Sequence, residues 1–110
     1  MSQRIQKINE LLRHEVSQLL LKEIDFDGIL VTIISVDTAP NLSQAKIKIT
    51  TIPTQRSERA LRFINKDIYQ IQQQLNKRLN LKFVPKLIFE IDKLEEKAQR
   101  IEKILTNPKS

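Results

Sequence analysis

The chain of 110 residues contains no cysteine, one glycine and one histidine. Without cysteine it can form neither a disulfide framework nor a thiolate zinc site, as is usual in a reducing compartment. The single glycine, Gly28, excludes the glycine-rich loops that hold nucleotide phosphates. The single histidine, His14, has no candidate nucleophile beside it in any motif, so we predict no catalytic residues, no metal and no cofactor.

Long hydrophobic runs are also missing from the sequence. No stretch approaches the roughly 20 apolar residues of a membrane-spanning helix, and the N-terminus leads directly into an amphipathic segment rather than a secretory signal. A chain of this length can bury a core as one domain. We therefore expect a cytoplasmic protein without membrane association, with residues 1–106 forming the domain and residues 107–110 a flexible tail.

The positive charge is concentrated in the second half of the chain. Residues 1–55 carry six basic and six acidic side chains, whereas residues 56–110 carry 13 basic and seven acidic ones, which accounts for the whole net charge of +6. A basic surface attracts polyanions because condensed cations are released on contact. Charge alone leaves two interpretations open, a nucleic-acid surface and a merely solubilising one.

The order of hydrophobic patterns predicts an α+β fold. Six elements, in the order helix, strand, strand, long helix, strand and helix, are predicted over residues 4–24, 29–36, 44–50, 57–79, 86–92 and 94–105. The last helix is marked by Leu94, Ala98, Ile101 and Leu105. This order favours a small sheet with helices packed on one face.

The first two strands differ in their patterns. Residues 29–36 are a nearly continuous β-branched run, which predicts a central strand that is apolar on both faces. Residues 44–50 alternate, so that Lys46 and Lys48 share a wet face, where they either protect a sheet edge or contact an anion. The turn between the strands favours an antiparallel pair, and Ser57 is positioned to cap the long helix.

The long helix has two contrasting faces. Helical spacing places an apolar seam on one side, formed by Leu61, Ile64, Ile68, Ile71, Leu75 and Leu79. The opposite side carries only cations and amides, namely Arg59, Arg62, Lys66, Gln70, Gln73 and Lys77. We call this set the basic stripe. Exposed helices usually mix charges of both signs, so the lack of acids favours nucleic-acid contact by Arg59, Arg62, Lys66 and Lys77.

Other side chains near the stripe have an ordinary interpretation beside a functional one. Arg78, Lys82 and Lys86 flank the turn at Pro85 and are predicted to extend this nucleic-acid surface. Phe63 and Tyr69 could stack on bases, although packing explains Phe63 better. Asp25 and Asp27 could hold a metal, but turns favour aspartate in any case.

Four blocks of the sequence carry a family resemblance. They are Arg4-Ile5 at the start of a helix that runs to Leu19-Leu20, Val31-Thr32-Ile33 leading to Val36, the segment from Leu42 to Ile49, and the segment from Leu79 to Asp92. Arg100-Ile101 adds a fifth, shorter match. With these blocks, which span residues 4–105, the chain resembles bacterial ribosome-binding factor A, a family of small-subunit maturation factors.

The resemblance implies a single KH-like (type II) domain with a three-stranded sheet and a kinked long helix. It also implies a protein without enzymatic activity that binds the small (30S) ribosomal subunit, its precursors and 16S rRNA. We expect it to act as a monomer. The alternatives are a general RNA-binding module and a protein-interaction module whose basic face meets an acidic partner.

The chain departs from the family pattern at two places. Family members usually break the long helix with an alanine and a glycine one residue apart, where this chain has Asp67-Ile68-Tyr69. Ala98 replaces another family glycine. The unbroken periodicity predicts one straight helix, whereas family topology predicts a bend between Ile64 and Ile68, and we expect the bend.

Overall fold

The computed structural model describes residues 3–93, and its elements follow the predicted order through the third strand. They are α1 (Gln3–Glu23), β1 (Leu30–Thr38), β2 (Gln44–Ile52), a 3-10 turn (Thr54–Arg56), α2 (Ser57–Lys66), α3 (Ile68–Arg78) and β3 (Lys86–Ile91). The α+β prediction is confirmed. The last predicted helix and the predicted tail lie outside the described residues. No helix within residues 3–93 is both long and apolar enough to cross a bilayer.

The sheet has the order β1-β2-β3, with β1 and β2 antiparallel and β2 and β3 parallel. The prediction that the first strand is central is therefore wrong, because β2 occupies the centre. Side chains of α1 cover the outer edge of β1: Arg13 Nη2 donates to the Ile33 carbonyl (2.9 Å), and the Thr38 N–H donates to Asn9 Oδ1 (3.0 Å). Only Ile33 and Thr38 of β1 are buried, so its apolar run did not indicate burial on both faces.

The central strand β2 separates the core from an open face of the sheet. Ala45, Ile47 and Ile49 are fully buried, whereas Lys46 and Lys48 are exposed on the other face, so the predicted alternation is confirmed. The interpretation that these lysines protect a sheet edge is wrong, because strands pair with β2 on both sides.

The hydrophobic core lies between the helices and one face of the sheet. Leu12, Val16 and Leu19 of α1 and Ile71 and Leu75 of α3 have no accessible surface. α1 contacts β1 and α3, while α2 contacts β3 and β2. The helices thus pack on the sheet face that carries the alternating apolar residues of β2, as predicted.

The long helix is interrupted at Asp67, which lies between α2 and α3. The Asp67 N–H donates to the Ile64 carbonyl (3.1 Å), three residues back, and the Ile71 N–H donates to the Asp67 carbonyl (3.0 Å) to begin α3. The interruption lies between Ile64 and Ile68, where family topology predicted a bend, and the unbroken helix that periodicity indicated is wrong. Ile64 and Ile71, on either side of Asp67, are both fully buried, so the apolar seam continues across the interruption.

Ser57 does not cap the long helix. Its buried hydroxyl donates to the Thr54 carbonyl (2.8 Å) and lies 2.8 Å from Thr51 Oγ1, so it fastens the 3-10 turn to the end of β2. The residue before the helix, Arg56, supplies no side-chain cap. The predicted capping role is wrong because the 3-10 turn runs directly into α2 and makes Ser57 its first residue.

The side chain of Gln72 joins α3 to the outer edge of β3. Its Nε2 donates to the Pro85 carbonyl (3.1 Å), and its Oε1 accepts the Leu87 N–H (2.9 Å). The amide therefore bonds to β3 as a neighbouring strand would. This pair of bonds fixes the start of β3 and the preceding loop against α3.

Candidate nucleic-acid interface

The basic stripe lies on the exposed surface of α2 and α3. All six of its members, Arg59, Arg62, Lys66, Gln70, Gln73 and Lys77, are exposed. The first three belong to α2 and the others to α3, so the stripe spans the break at Asp67. Sequence periodicity placed these side chains correctly because the break leaves the buried residues of both helices facing the same core.

Three stripe cations are available for a ligand. Within residues 3–93, the ion pairs are Arg59 with Asp27, Arg78 with Glu15 and Lys93 with Glu58. Arg62, Lys66 and Lys77 thus have no carboxylate partner in this part of the chain. A phosphate group that approaches them does not have to displace an acid of residues 3–93.

Arg59 is held by the turn that precedes β1. Its Nη2 lies 2.7 Å from Asp27 Oδ2, and its guanidinium carbon lies 5.5 Å from the centre of the Phe63 ring. Phe63 in turn packs edge-on against Phe26, with ring centres 6.3 Å apart. The Arg59 and Asp27 side chains are 46% and 64% exposed, and pairs this exposed contribute at most about 1 kcal/mol. A phosphate can therefore compete with Asp27 for Arg59.

The three cations around Pro85 do not form one cluster. Arg78 Nη1 points to α1, where it lies 3.3 Å from Glu15 Oε2 and 3.5 Å from Gln18 Oε1. The Lys82 ammonium lies 5.6 Å from the centre of the Phe83 ring, and Lys86 is exposed at the start of β3. Lys82 and Lys86 remain near the turn, whereas Arg78 is directed to the junction of α1 and α3.

Sequence reasoning did not identify Asp27 and Glu15 as partners of the predicted RNA-binding residues. Asp27 precedes Arg59 by 32 residues and Glu15 precedes Arg78 by 63. Local spacing gives no signal for contacts over such separations, because they depend on how α1 and the turn before β1 pack in three dimensions.

The two acidic residues of the turn before β1, Asp25 and Asp27, form contacts within the protein. The Asp27 N–H donates to Asp25 Oδ1 (2.9 Å), and the Asp27 carboxylate binds Arg59. Among residues 3–93, no three histidine or acidic side chains are grouped so that they could hold a metal. These contacts favour the turn interpretation of Asp25 and Asp27.

Comparison with known proteins identifies the family. The family model described as ribosome-binding factor A matches residues 4–105. Ribosome-binding factor A of Opitutus terrae is 27% identical over 106 residues, covering 96% of this chain and 87% of the relative. The Rhodopseudomonas palustris protein of that name is 32% identical over 111 residues, covering 97% and 81%.

A solved structure confirms the fold. The crystal structure of ribosome-binding factor A from Thermus thermophilus aligns with a TM-score of 0.70 at 17% identity, covering 79% of this chain and 93% of that one. The resemblance seen in the four sequence blocks is thus confirmed both by sequence and by fold. The chain belongs to the ribosome-binding factor A family.

Proposed function

We propose that this protein is an assembly factor that binds the small (30S) ribosomal subunit and its precursors, and that it supports 16S rRNA processing without itself catalysing a reaction. Membership of the ribosome-binding factor A family supports the ribosome as partner. The lack of a membrane-spanning helix within residues 3–93 is compatible with action in the cytoplasm.

The observation that carries the proposal is the set of free cations on α2 and α3. Arg62, Lys66 and Lys77 are exposed and have no acidic partner among the described residues. At 1.5 Å per helical residue, the chain rises about 22 Å along the helices from Arg62 to Lys77. That length allows contact with several phosphates of one RNA segment, each of which releases condensed cations.

The domain would act by binding one arrangement of the RNA more tightly than another. Side chains of α1 and α3 bond to the outer strands β1 and β3, and α2 packs against β2 and β3, so both helices of the basic stripe are held against the sheet. A rigid cationic surface fits only RNA whose phosphates match its spacing. Differential affinity of this kind is sufficient to shift an RNA folding equilibrium without chemistry.

Sedimentation tests the proposal directly. The protein is mixed with free small subunits, large subunits and whole ribosomes, and we expect enrichment on free small subunits and their precursors. An equal distribution over all three particles would reduce the function to general RNA binding. The double variant Arg62→Ala, Lys66→Ala should lose this enrichment, whereas Lys46→Ala, Lys48→Ala removes the same charge from the open face of the sheet and should retain it.

Digestion of RNA separates the proposal from a protein-interaction module. If the protein recognises an acidic protein partner, it should stay in a complex after nuclease treatment of a lysate. If the partner is RNA, the complex should disappear. Retention of the complex after complete digestion would contradict the proposed function.

A further inference from the structure

Tyr69 is the most exposed aromatic side chain among the described residues, with 73% of its surface accessible. It lies in the first turn of α3, two residues after the break at Asp67. No aromatic ring or cation within residues 3–93 packs against it, whereas Phe63 contacts Phe26 and Arg59. The Tyr69 ring is thus available to a planar ligand.

The side chains beside Tyr69 can bind phosphate and ribose. Lys66 precedes it by one turn across the break, and Gln73 lies one turn later on the same face of α3. Lys66, Gln70 and Gln73 are all exposed. A cation and two amides are groups that contact RNA backbones in complexes, and here all three lie within four residues of an exposed ring.

We propose that Tyr69 stacks on an unpaired base of RNA while the basic stripe holds the adjacent phosphates, so that the preferred ligand is single-stranded RNA. This inference rests on the proposed function and specifies its ligand. In a duplex the bases are stacked on one another and do not present a free face, whereas a single strand can place a base on an aromatic side chain. The cations of the stripe alone would not distinguish single-stranded RNA from a duplex, because both carry phosphates.

Phe83 provides the comparison within the same molecule. It is 66% exposed, but the Lys82 ammonium lies 5.6 Å from the centre of its ring. The loop that carries it is fixed to α3 through the bond between Gln72 and the Pro85 carbonyl. Phe83 is thus about as exposed as Tyr69 and also has a lysine nearby in the sequence. The difference is that the lysine next to Phe83 already lies over its ring.

The chain has a built-in reporter for this contact, because Tyr69 is its only tyrosine and it has no tryptophan. Intrinsic tyrosine fluorescence therefore comes from Tyr69 alone, and stacking on a base should quench it. We expect quenching by a mixed-sequence single-stranded RNA of about eight nucleotides, a length within the range that single-strand-binding domains occupy. A duplex made from the same strand should bind through its phosphates without comparable quenching. The Tyr69→Phe variant gives the fluorescence background.

Variants test the energetic part of the inference. Tyr69→Leu should weaken single-strand binding by about 5- to 140-fold, the range expected for loss of one base–aromatic stack, and should leave duplex binding unchanged. Tyr69→Phe should retain most of the affinity because it keeps the ring, and Phe83→Leu should change it little. Melting curves establish that each variant is folded.

The outcomes distinguish this inference from the proposed function. If the single strand binds without quenching, if the duplex quenches equally, or if Tyr69→Leu binds like the parent, the stacking inference is wrong. The effects of Arg62→Ala and Lys66→Ala on small-subunit binding would still support the proposed function. If neither RNA nor small subunits bind, both are wrong.

Discussion

Salt dependence gives the most direct measure of phosphate contact by the stripe. Arg62 and Lys66 are exposed and have no acidic partner among the described residues. If each contacts one phosphate, replacing either by alanine should reduce the slope of log K against log salt by about 0.7 for single-stranded RNA or 0.9 for a duplex. The double variant should lose about twice as much.

These slopes convert into a measurable change in affinity. Between 50 and 200 mM salt, each phosphate contact should account for about a threefold loss of binding. The parent should therefore weaken more steeply than either single variant over this range. Affinity for small-subunit precursors, measured by filter binding or fluorescence anisotropy at four or more salt concentrations, gives the slopes.

Folding should not complicate the comparison. Exposed substitutions away from special features usually change stability by less than about 0.5 kcal/mol, so Arg62→Ala and Lys66→Ala should melt like the parent. The pair Lys46→Ala and Lys48→Ala serves as the charge-matched control on the opposite face of the sheet. Folded Arg62 and Lys66 variants with the parental slope would show that the stripe is only solvated, and the RNA surface would then have to lie elsewhere.

Three further predictions concern other contacts. Asp27→Asn should free Arg59 and steepen the salt dependence of RNA binding by up to about 0.9. It should destabilise the fold by less than about 1 kcal/mol. An unchanged slope in binding titrations would mean that Arg59 does not reach the RNA. Ile64→Ala should lower the free energy of unfolding by about 2–5 kcal/mol because its side chain is fully buried. Ile68→Ala, at a half-buried position, should lower it less. Equal losses of stability for the two variants in urea unfolding would contradict the assigned packing. Gln72→Leu should lower the free energy of unfolding by about 1–3 kcal/mol because it leaves the Pro85 carbonyl and the Leu87 N–H unpaired. Gln73→Leu, at an exposed position, should leave stability almost unchanged. Similar denaturation midpoints for the two variants would refute this role of Gln72.

The parts of the fold that follow local chemistry could be predicted from the sequence. The alternation in β2 reports directly which side chains face the core, because successive residues point to opposite faces. The apolar spacing of α1 is equally informative, and its buried face contains Leu12, Val16 and Leu19 as expected. The stripe on α2 and α3 follows from the same periodicity.

Features that depend on distant contacts were missed. β1 has the composition of a central strand, yet Asn9 and Arg13 of α1 cover its outer edge in place of a fourth strand. Ser57 has the residue type of a helix cap, but its hydroxyl is held by Thr54 and lies beside Thr51. The place of β1 in the sheet and the bonding of Ser57 are each determined by another element of the structure, which the local sequence pattern does not indicate.

The candidate site divides in the same way. Periodicity placed the cations, but it could not show that Asp27 neutralises Arg59 or that Glu15 draws Arg78 toward α1. The break at Asp67 was expected from family topology rather than from local sequence. A basic stripe read from sequence therefore gives an upper limit to the number of cations that a ligand meets unpaired.

The side-chain bonds to the outer strands also affect how the molecule meets other polypeptides. An open strand edge is a template on which a foreign segment can add itself as a further strand. Here Arg13 and Asn9 occupy positions along one edge and Gln72 along the other. An extended tail of another protein would have to displace these side chains before it could pair with the sheet. The edges of the sheet are thus protected at these positions against the addition of a foreign strand.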